Sequence, residues 1–388
     1  MTQEKSKILI LSTAYLPLVG GSELAIKNIT DRIRDFDFDM ITARLQKDSP
    51  AEEKMGNISV FRVSGFLTLF RLVLPKTFLP LSIFLKARKL MQKNDYKFIH
   101  AFQASGAAGA AWLLKVFNPE LKLLLTLQEG KQLESQGPVI NFFRKLIIKK
   151  ADLATAISNY LRDYILGVKR GLKVELIPNG VDLVGLSREF SYGEMTELEN
   201  SLGIMPDDKV VISVSRLVWK NGIDLLIQAV GVLNNRYTGR TYKLILAGDG
   251  EEMKKLKNLA NELGLSNNVI FAGSIRPEDL PKYLKIADVF VRPSRSEGLG
   301  SAFLESMAAG VPVIGTKIGG IPDFLEDRKT GLFCDPNPES IAAKINVLIE
   351  NESLRHEIIK NSRALVEQKY DWNFIADKFK NLYNKFAA

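Results

Sequence analysis

The chain of 388 residues contains one cysteine, Cys334, and two histidines, His100 and His356. A single cysteine excludes an internal disulfide and points to a reducing compartment. So few thiol and imidazole side chains also argue against a His/Cys metal centre. No apolar run approaches the ~20 residues needed to span a bilayer, and the start, MTQEKSKILILS, lacks the layout of a secretory leader. The expectation is a cytoplasmic protein, at most peripheral on the inner face of the membrane. A dense basic stripe interleaved with aromatics is missing as well, which argues against nucleic acid as a partner.

Hydrophobic residues make up 46% of the chain and charged residues 25%, the balance of a soluble globular protein. At this length one core is too few, so two domains are expected. The formal net charge of +9 favours an anionic partner such as a phosphorylated substrate or acidic lipid. Short apolar runs at residues 7–12, 38–43, 58–63, 97–102, 122–127, 152–157 and 173–177 alternate with helical stretches. This is the α/β pattern of a doubly wound parallel sheet. The pattern breaks at Pro178-Asn179-Gly180, and a polar stretch to Asp208 reads as the linker. Runs at 209–215, 242–247, 269–272, 287–291 and 311–316 then repeat the alternation. The expected domains are residues 1–180 and 181–365, with a helical tail over 366–388. Open α/β sheets bind ligands beyond the carboxyl ends of their strands, so two such domains facing each other would bind in the cleft.

Residues 292–320, RPSRSEGLGSAFLESMAAGVPVIGTKIGG, carry the sharpest chemistry. A strand ends at Arg292, a Ser/Gly loop follows, and a short helix begins near Ser301 with Ser301 as its expected N-cap. Gly310 suits the left-handed position past the helix end. Free N–H groups and a positive dipole end make this turn an anion site. Glu305 lies one turn in from Ser301 on the same face, so the two could reach one ligand bearing both phosphate and hydroxyls. A second glycine pair, Gly20-Gly21, follows the first strand, with Ser22 expected to cap a helix carrying Ala25, Ile26, Ile29 and Ile33 at helical spacing. The G-x-G-x-x-G dinucleotide spacing is absent there. Residues 66–90, FLTLFRLVLPKTFLPLSIFLKARKL, mix Phe and Leu with five basic residues and two prolines expected to break any long helix. They read as a membrane-surface segment or as a core helix pair, and NFFRKLIIKK at 141–150 adds to the first reading.

Taken together, Glu297 and Glu305 with seven residues between them, the Gly20-Gly21 loop after the first strand, ADLATAISNYLRDYI before IPNGVD, VSRLV at 214–218, LILAGDG, and GVPVIGTKIGGIPD resemble the retaining GT-B glycosyltransferases of glycosyltransferase family 4. The resemblance covers nearly the whole chain. It implies a last helix near 372–386 crossing back onto the first domain, a UDP- or GDP-sugar donor as co-substrate with no cofactor or metal, and a glycan, lipid-linked or small-molecule acceptor. It assigns Glu305 to the donor ribose, Glu297 to the transferred sugar, and Gly298, Leu299, Gly300 and Ser301 to sugar and diphosphate. Gly20 and Gly21 would meet the diphosphate, Arg216 would neutralise the leaving group, and the backbone at Ile275 would read the base. Three positions depart from the family pattern. Asn221 stands where a lysine is usual, with Lys220 beside it; Phe102 stands where a second histidine would follow His100; and Gln128, followed by Glu129, ends a strand that usually carries a histidine. His100 is then either a site residue or a core histidine, Gln128 is an expected acceptor contact that cannot act as a base, and Glu129 is either an acceptor contact or a helix-cap acid. A sugar-nucleotide epimerase, or a glycan- or lipid-surface binding protein without chemistry, are the alternative readings.

Overall fold

Short apolar runs buried on both faces need helices over each side, and the chain supplies them in alternation. The computed structural model describes residues 5–388 apart from 19, 47, 65–67, 70–71, 74–77, 105, 131–132, 134–135 and 238, with the backbone alone at 68–69 and 72–73. In chain order, the first half runs β1 Ser6–Leu11, α1 Gly21–Arg32, β2 Phe36–Ala43, β3 Glu52–Met55, β4 Ile58–Val63, β5 Thr68–Leu69, β6 Leu72–Val73 and α2 Leu79–Met91. It continues with β7 Tyr96–Phe102, α3 Gly106–Phe117, β8 Leu123–Leu127, α4 Pro138–Lys150, β9 Leu153–Ala156, α5 Asn159–Val168 and β10 Val174–Leu176. The second half holds α6 Leu183–Leu186, α7 Tyr192–Ser201, β11 Lys209–Val214, α8 Ile223–Arg236, β12 Tyr242–Ala247, α9 Met253–Glu262 and β13 Val269–Gly273. After these come α10 Leu280–Lys285, β14 Val289–Arg292, α11 Ser301–Ala309, β15 Val313–Thr316, β16 Leu332–Cys334, α12 Pro338–Glu350, α13 Glu352–Lys369 and α14 Trp372–Ala387.

Two units result: Met1–Asn179 with Trp372–Ala388, and Gly180–Asp371. The first contains a sheet in the order β10-β9-β8-β7-β1-β2-β4-β3, parallel except for β3 against β4. From β1 the chain steps one way to β2, and from β7 it steps the other way to β8, β9 and β10. Right-handed crossovers therefore put α1 on one face and α3, α4 and α5 on the other. The last helix, α14, packs beside α1, because Trp372, Ile375, Ala376, Phe379, Leu382 and Tyr383 repeat at helical spacing and are all buried. Its Tyr383 ring lies against Phe36, Phe38 and Phe98.

The second unit has a six-stranded parallel sheet, β13-β12-β11-β14-β15-β16. Leu226, Ile227, Val230 and Leu233 of α8 share its core with Ile341, Ile345 and Leu348 of α12. The polar stretch expected to be a linker is instead folded into this unit. Ser191 Oγ accepts the Glu194 N–H at 3.3 Å and the Glu194 carboxylate accepts the Ser191 N–H at 2.9 Å, a capping box that starts α7. The chain passes from one unit to the other at Asn179-Gly180.

Of the basic, Phe/Leu-rich stretch 66–90, residues 66–67, 70–71 and 74–77 lie outside the described residues, Arg71, Pro75 and Lys76 among them. Its second half forms α2. Pro80 does not break that helix; it sits in the first turn, where a missing N–H costs nothing. Among the described residues no helix is long and apolar enough to cross a membrane.

Candidate active site

In the second unit β11 leads to β12 on one side while β14 leads to β15 on the other, although β11 and β14 are neighbours. Their following loops diverge, which makes this the switch point where such sheets bind ligands. After β14 the chain runs through Ser294 to Gly300, and α11 begins at Ser301. The N-cap is Gly300, left-handed at φ 100°, and not Ser301; no side chain caps the helix. A Cβ at Gly300 would fall 2.9 Å from the Phe303 ring and 3.1 Å from the Arg292 guanidinium. With no cap, the N–H groups of Leu299, Gly300, Ser301 and Ala302 find no acceptor among the described residues. Gly310 ends α11 at φ 81°, as its sequence position suggested.

Glu305 projects from the second turn of α11. Its carboxylate makes no hydrogen bond or ion pair among the described residues. Burial pushes its pKa above the usual carboxylate range, with the Arg292 charge opposing that shift. Glu297 is the reverse case. Its Oε2 accepts from Arg292 Nη2 at 2.5 Å, its Oε1 accepts from the Gly298 N–H at 3.0 Å, and Lys220 Nζ stands 4.0 Å from Oε1. Arg292 in turn lies over the Phe303 ring at 4.8 Å. The loop is held from outside by Gly319, at φ 56°, where a Cβ would fall 1.8 Å from the Glu297 carbonyl oxygen.

The loop after β11 supplies the cations. Arg216 is exposed, and its guanidinium has no protein partner among the described residues. Asn221 is buried and turned inward, its Nδ2 donating to the Arg216 carbonyl at 2.7 Å, so it shapes the loop and is not free for a donor phosphate. Lys220 does reach the glutamate loop, donating from Nζ to the Ser296 carbonyl at 3.4 Å. The two loops are tied by a residue that the motif reading passed over. Arg295 donates to both Asp224 carboxylate oxygens at 2.8 and 2.7 Å and to the Trp219 carbonyl at 2.9 Å. Ile275, on the loop after β13, leaves its backbone N–H and C=O without partners among the described residues.

Eight buried side-chain atoms lack a partner among the described residues, and five of them belong to Ser213, Ser215, Asn221, Arg292 and Ser294. All five sit at the carboxyl ends of β11 and β14 or on the loops that follow. Native interiors hold few such groups, and here they cluster where β11 and β14 end and their loops diverge.

The first unit has its own switch point between β1 and β7. Gly20 is the extended N-cap of α1 and Gly21 its first residue; Ser22, expected to cap, lies inside the helix and accepts from Gln103 Nε2 at 3.3 Å. The N–H groups of Gly21 and Ser22 have no acceptor among the described residues. Gln103 follows β7 at φ 64°, a strained setting for a non-glycine that no sequence signal announced.

Three residues expected near this site are otherwise engaged. His100 has no solvent exposure, bonds Tyr383 Oη at 2.9 Å and Thr126 Oγ1 at 2.6 Å, and has its pKa lowered to about 3 by burial. It is a core histidine, not a catalytic one. Gln128 pairs its side-chain amide with that of Asn179, donating at 3.0 Å and accepting at 3.4 Å, and so is not open to an acceptor. Glu129 is neither acceptor contact nor helix cap; it accepts the Ala104 and Gln128 N–H groups at 2.6 and 2.9 Å and joins the loops after β7 and β8. Burial raises its pKa, against the pull of those bonds and of Arg144.

Two family models match the chain, one described as Glycosyltransferase Family 4 over residues 19–184 and one as Glycosyl transferases group 1 over residues 194–365. An uncharacterised glycosyltransferase of Methanocaldococcus jannaschii is 27% identical over 97% of each chain. The N-acetyl-alpha-D-glucosaminyl L-malate synthase of Bacillus anthracis is 26% identical, again over 97% of each. Among solved structures, an Anabaena protein in complex with UDP-glucose has a TM-score of 0.80 at 23% identity, covering 98% of this chain and 99% of its own.

Proposed function

From the premise that this chain belongs to the group 1 glycosyltransferases of family 4, enzymes of the GT-B fold that use nucleotide sugars, we propose that it is a retaining hexosyltransferase taking its sugar from a UDP- or GDP-hexose. The alternatives of an epimerase and of a binding protein without chemistry give way to the family's activity. The observation that carries the reading is the turn at Leu299 to Ala302, where four N–H groups and, one turn further on, the Glu305 carboxylate have no hydrogen-bond partner among the described residues. A ligand that satisfies both must offer anionic oxygens and hydroxyl donors together, as a sugar nucleotide does.

In this reading the Glu305 carboxylate accepts from the ribose hydroxyls, while the N–H groups from Leu299 to Ala302 receive the diphosphate and the sugar. Glu297, already held by Arg292 and Gly298, has lone pairs left for a sugar hydroxyl. Gly20 and Gly21 keep their assignment to the diphosphate, Ile275 keeps its assignment to the base, and both rest on the family resemblance. The acceptor oxygen bonds the anomeric carbon on the face from which the diphosphate departs. The bond from that carbon to the diphosphate oxygen breaks, and the acceptor proton passes to the departing oxygen. Arg216 and Lys220 meet the negative charge that grows there, a preorganised electrostatic role that lowers the barrier. With these cations and helix-end dipoles in place, the reading invokes neither metal nor cofactor. The acceptor class is a hydroxyl of a glycan, a lipid-linked sugar or a small molecule.

The test is a melting-temperature screen against UDP, GDP and their hexose esters, followed by NMR of the product anomer. At ligand 100-fold above Kd the stabilisation is about 2.7 kcal/mol, or roughly 5–10 °C for a unit of this size. Silence toward every nucleotide and sugar nucleotide would refute donor use, and an inverted anomer would refute retention.

A further inference from the structure

Helices α2, α3 and α4 pack side by side in the first unit. Their sequences, LPLSIFLKARKLM, GAAGAAWLLKVF and PVINFFRKLIIKK, contain eight Lys and Arg and no Asp or Glu, against a net charge of +9 for the whole chain. Three helices thus hold nearly all of the chain's excess charge. Lys86 and Lys115 are paired with Glu52 and Asp152, and Arg144 is buried, which leaves Arg88, Lys89, Lys145, Lys149 and Lys150 exposed.

The apolar pattern of α4 is unusual in the same place. Ile147 and Ile148 face the core, yet Val139, Phe142, Phe143 and Leu146 form a second stripe at i, i+3, i+4 and i+7. Val139, Phe142 and Phe143 are 66%, 59% and 53% exposed, and Phe117 at the end of the neighbouring α3 is 71% exposed. A surface helix normally turns one stripe inward and polar residues outward. Here the outward stripe is apolar, its C-terminal half is lysine-rich, and no acid interrupts it.

We propose that this face, centred on α4, docks on an anionic phospholipid surface, with Val139, Phe142 and Phe143 entering the headgroup boundary and Lys145, Lys149 and Lys150 meeting lipid phosphates. Apolar side chains backed by lysines fit that boundary, whereas a nucleic acid would engage the lysines and leave the Phe pair idle. The docking does not depend on the transfer reading. If that reading holds, the surface brings the enzyme to an acceptor carried in the membrane.

The experiment is co-sedimentation of the full chain with vesicles of neutral phosphatidylcholine and of the same lipid with about a third phosphatidylglycerol, at low and high salt. Three proteins are compared: the wild type, K145E/K149E/K150E and F142S/F143S. All substituted side chains are solvent-exposed, so folding is checked by unchanged melting and unchanged nucleotide-induced stabilisation. Binding is expected on the anionic vesicles only and to weaken with salt. The lysine variant should lose about fivefold per lysine removed, at least on the order of 100-fold for the three with the glutamates' repulsion added, and the Phe variant should also bind more weakly. Absence of binding to anionic vesicles overturns the proposal. So does wild-type binding by either variant, including the case where the lysines matter and the Phe pair does not, which marks a plain polyanion site. Vesicle binding without any nucleotide response would refute the transfer reading alone.

Discussion

Glu305→Gln separates what the carboxylate does for the fold from what it does for the donor. In the free protein the carboxylate makes no hydrogen bond or ion pair among the described residues, and burial raises its pKa against the pull of Arg292. A raised folded-state value means that the folded protein holds this proton after the unfolded chain has released it. The group's contribution to stability is therefore present below the unfolded carboxylate value and is lost as pH rises through the folded one. The isosteric amide removes that dependence, so the free E305Q protein should melt no lower than wild type at pH 7–8. Donor binding should move the other way. A hydrogen bond to a charged group contributes about 1.5–3 kcal/mol and a neutral one about 0.5–1.5. The difference is roughly tenfold in affinity per bond, or on the order of 100-fold if both ribose hydroxyls bind. Calorimetric titration with the preferred nucleotide and its 2′-deoxy form measures this, since the deoxy form should weaken binding to wild type more than to E305Q. Equal nucleotide affinity in the two proteins, or a clear drop in the melting temperature of free E305Q, would refute the reasoning.

Arg216→Ala should leave the melting temperature unchanged, because the guanidinium is exposed and has no partner among the described residues; steady-state kinetics should show kcat lower by about 100- to 1000-fold. His100→Gln should leave the kcat of the folded enzyme close to wild type. In wild type the lowered pKa, near 3 against an ordinary 6.5, keeps the imidazole neutral in the fold, so stability is complete above pH 6.5 and falls as pH drops toward 3. That loss amounts to up to about 1.4 kcal/mol per pH unit, and melting curves between pH 4 and 7 should be flatter for the variant. Arg295→Ala releases the tie to Asp224 and Trp219 and should lower kcat more than it raises KM for the donor. Asp224→Asn added to it should cost little more, a non-additivity that a double-mutant cycle reads directly.

What the sequence by itself determined was whatever follows from near neighbours along the chain. A strand buried on both faces must be an apolar run, so the parallel strands from β1 to β15 could be located from composition alone, most to within a residue or two. Two edge strands could not: β3 is a charged EEKM pairing through its backbone, and β16 is three residues long. The loop from Arg292 to Gly310 was legible because glycine, helix start and glutamate all lie within one turn of each other. The helix caps were misassigned at Ser22 and Ser301 because a serine near a helix start is a local signal, whereas the helix begins where sheet packing delivers it. The polar stretch after Gly180 joined the second unit through Leu186, Leu198 and Ile204, three scattered apolar contacts that no local pattern announces. Only the tertiary structure decided which polar groups were already satisfied. His100 is spent on a tyrosine 283 residues away, Gln128 on an asparagine 51 residues away, and Lys220 is drawn to a carbonyl 76 residues away. Whether a side chain is a strut or a free ligand group depends on partners that folding brings from elsewhere in the chain, and Glu305 and Arg216 stand out because neither has a hydrogen-bond or ion-pair partner among the described residues.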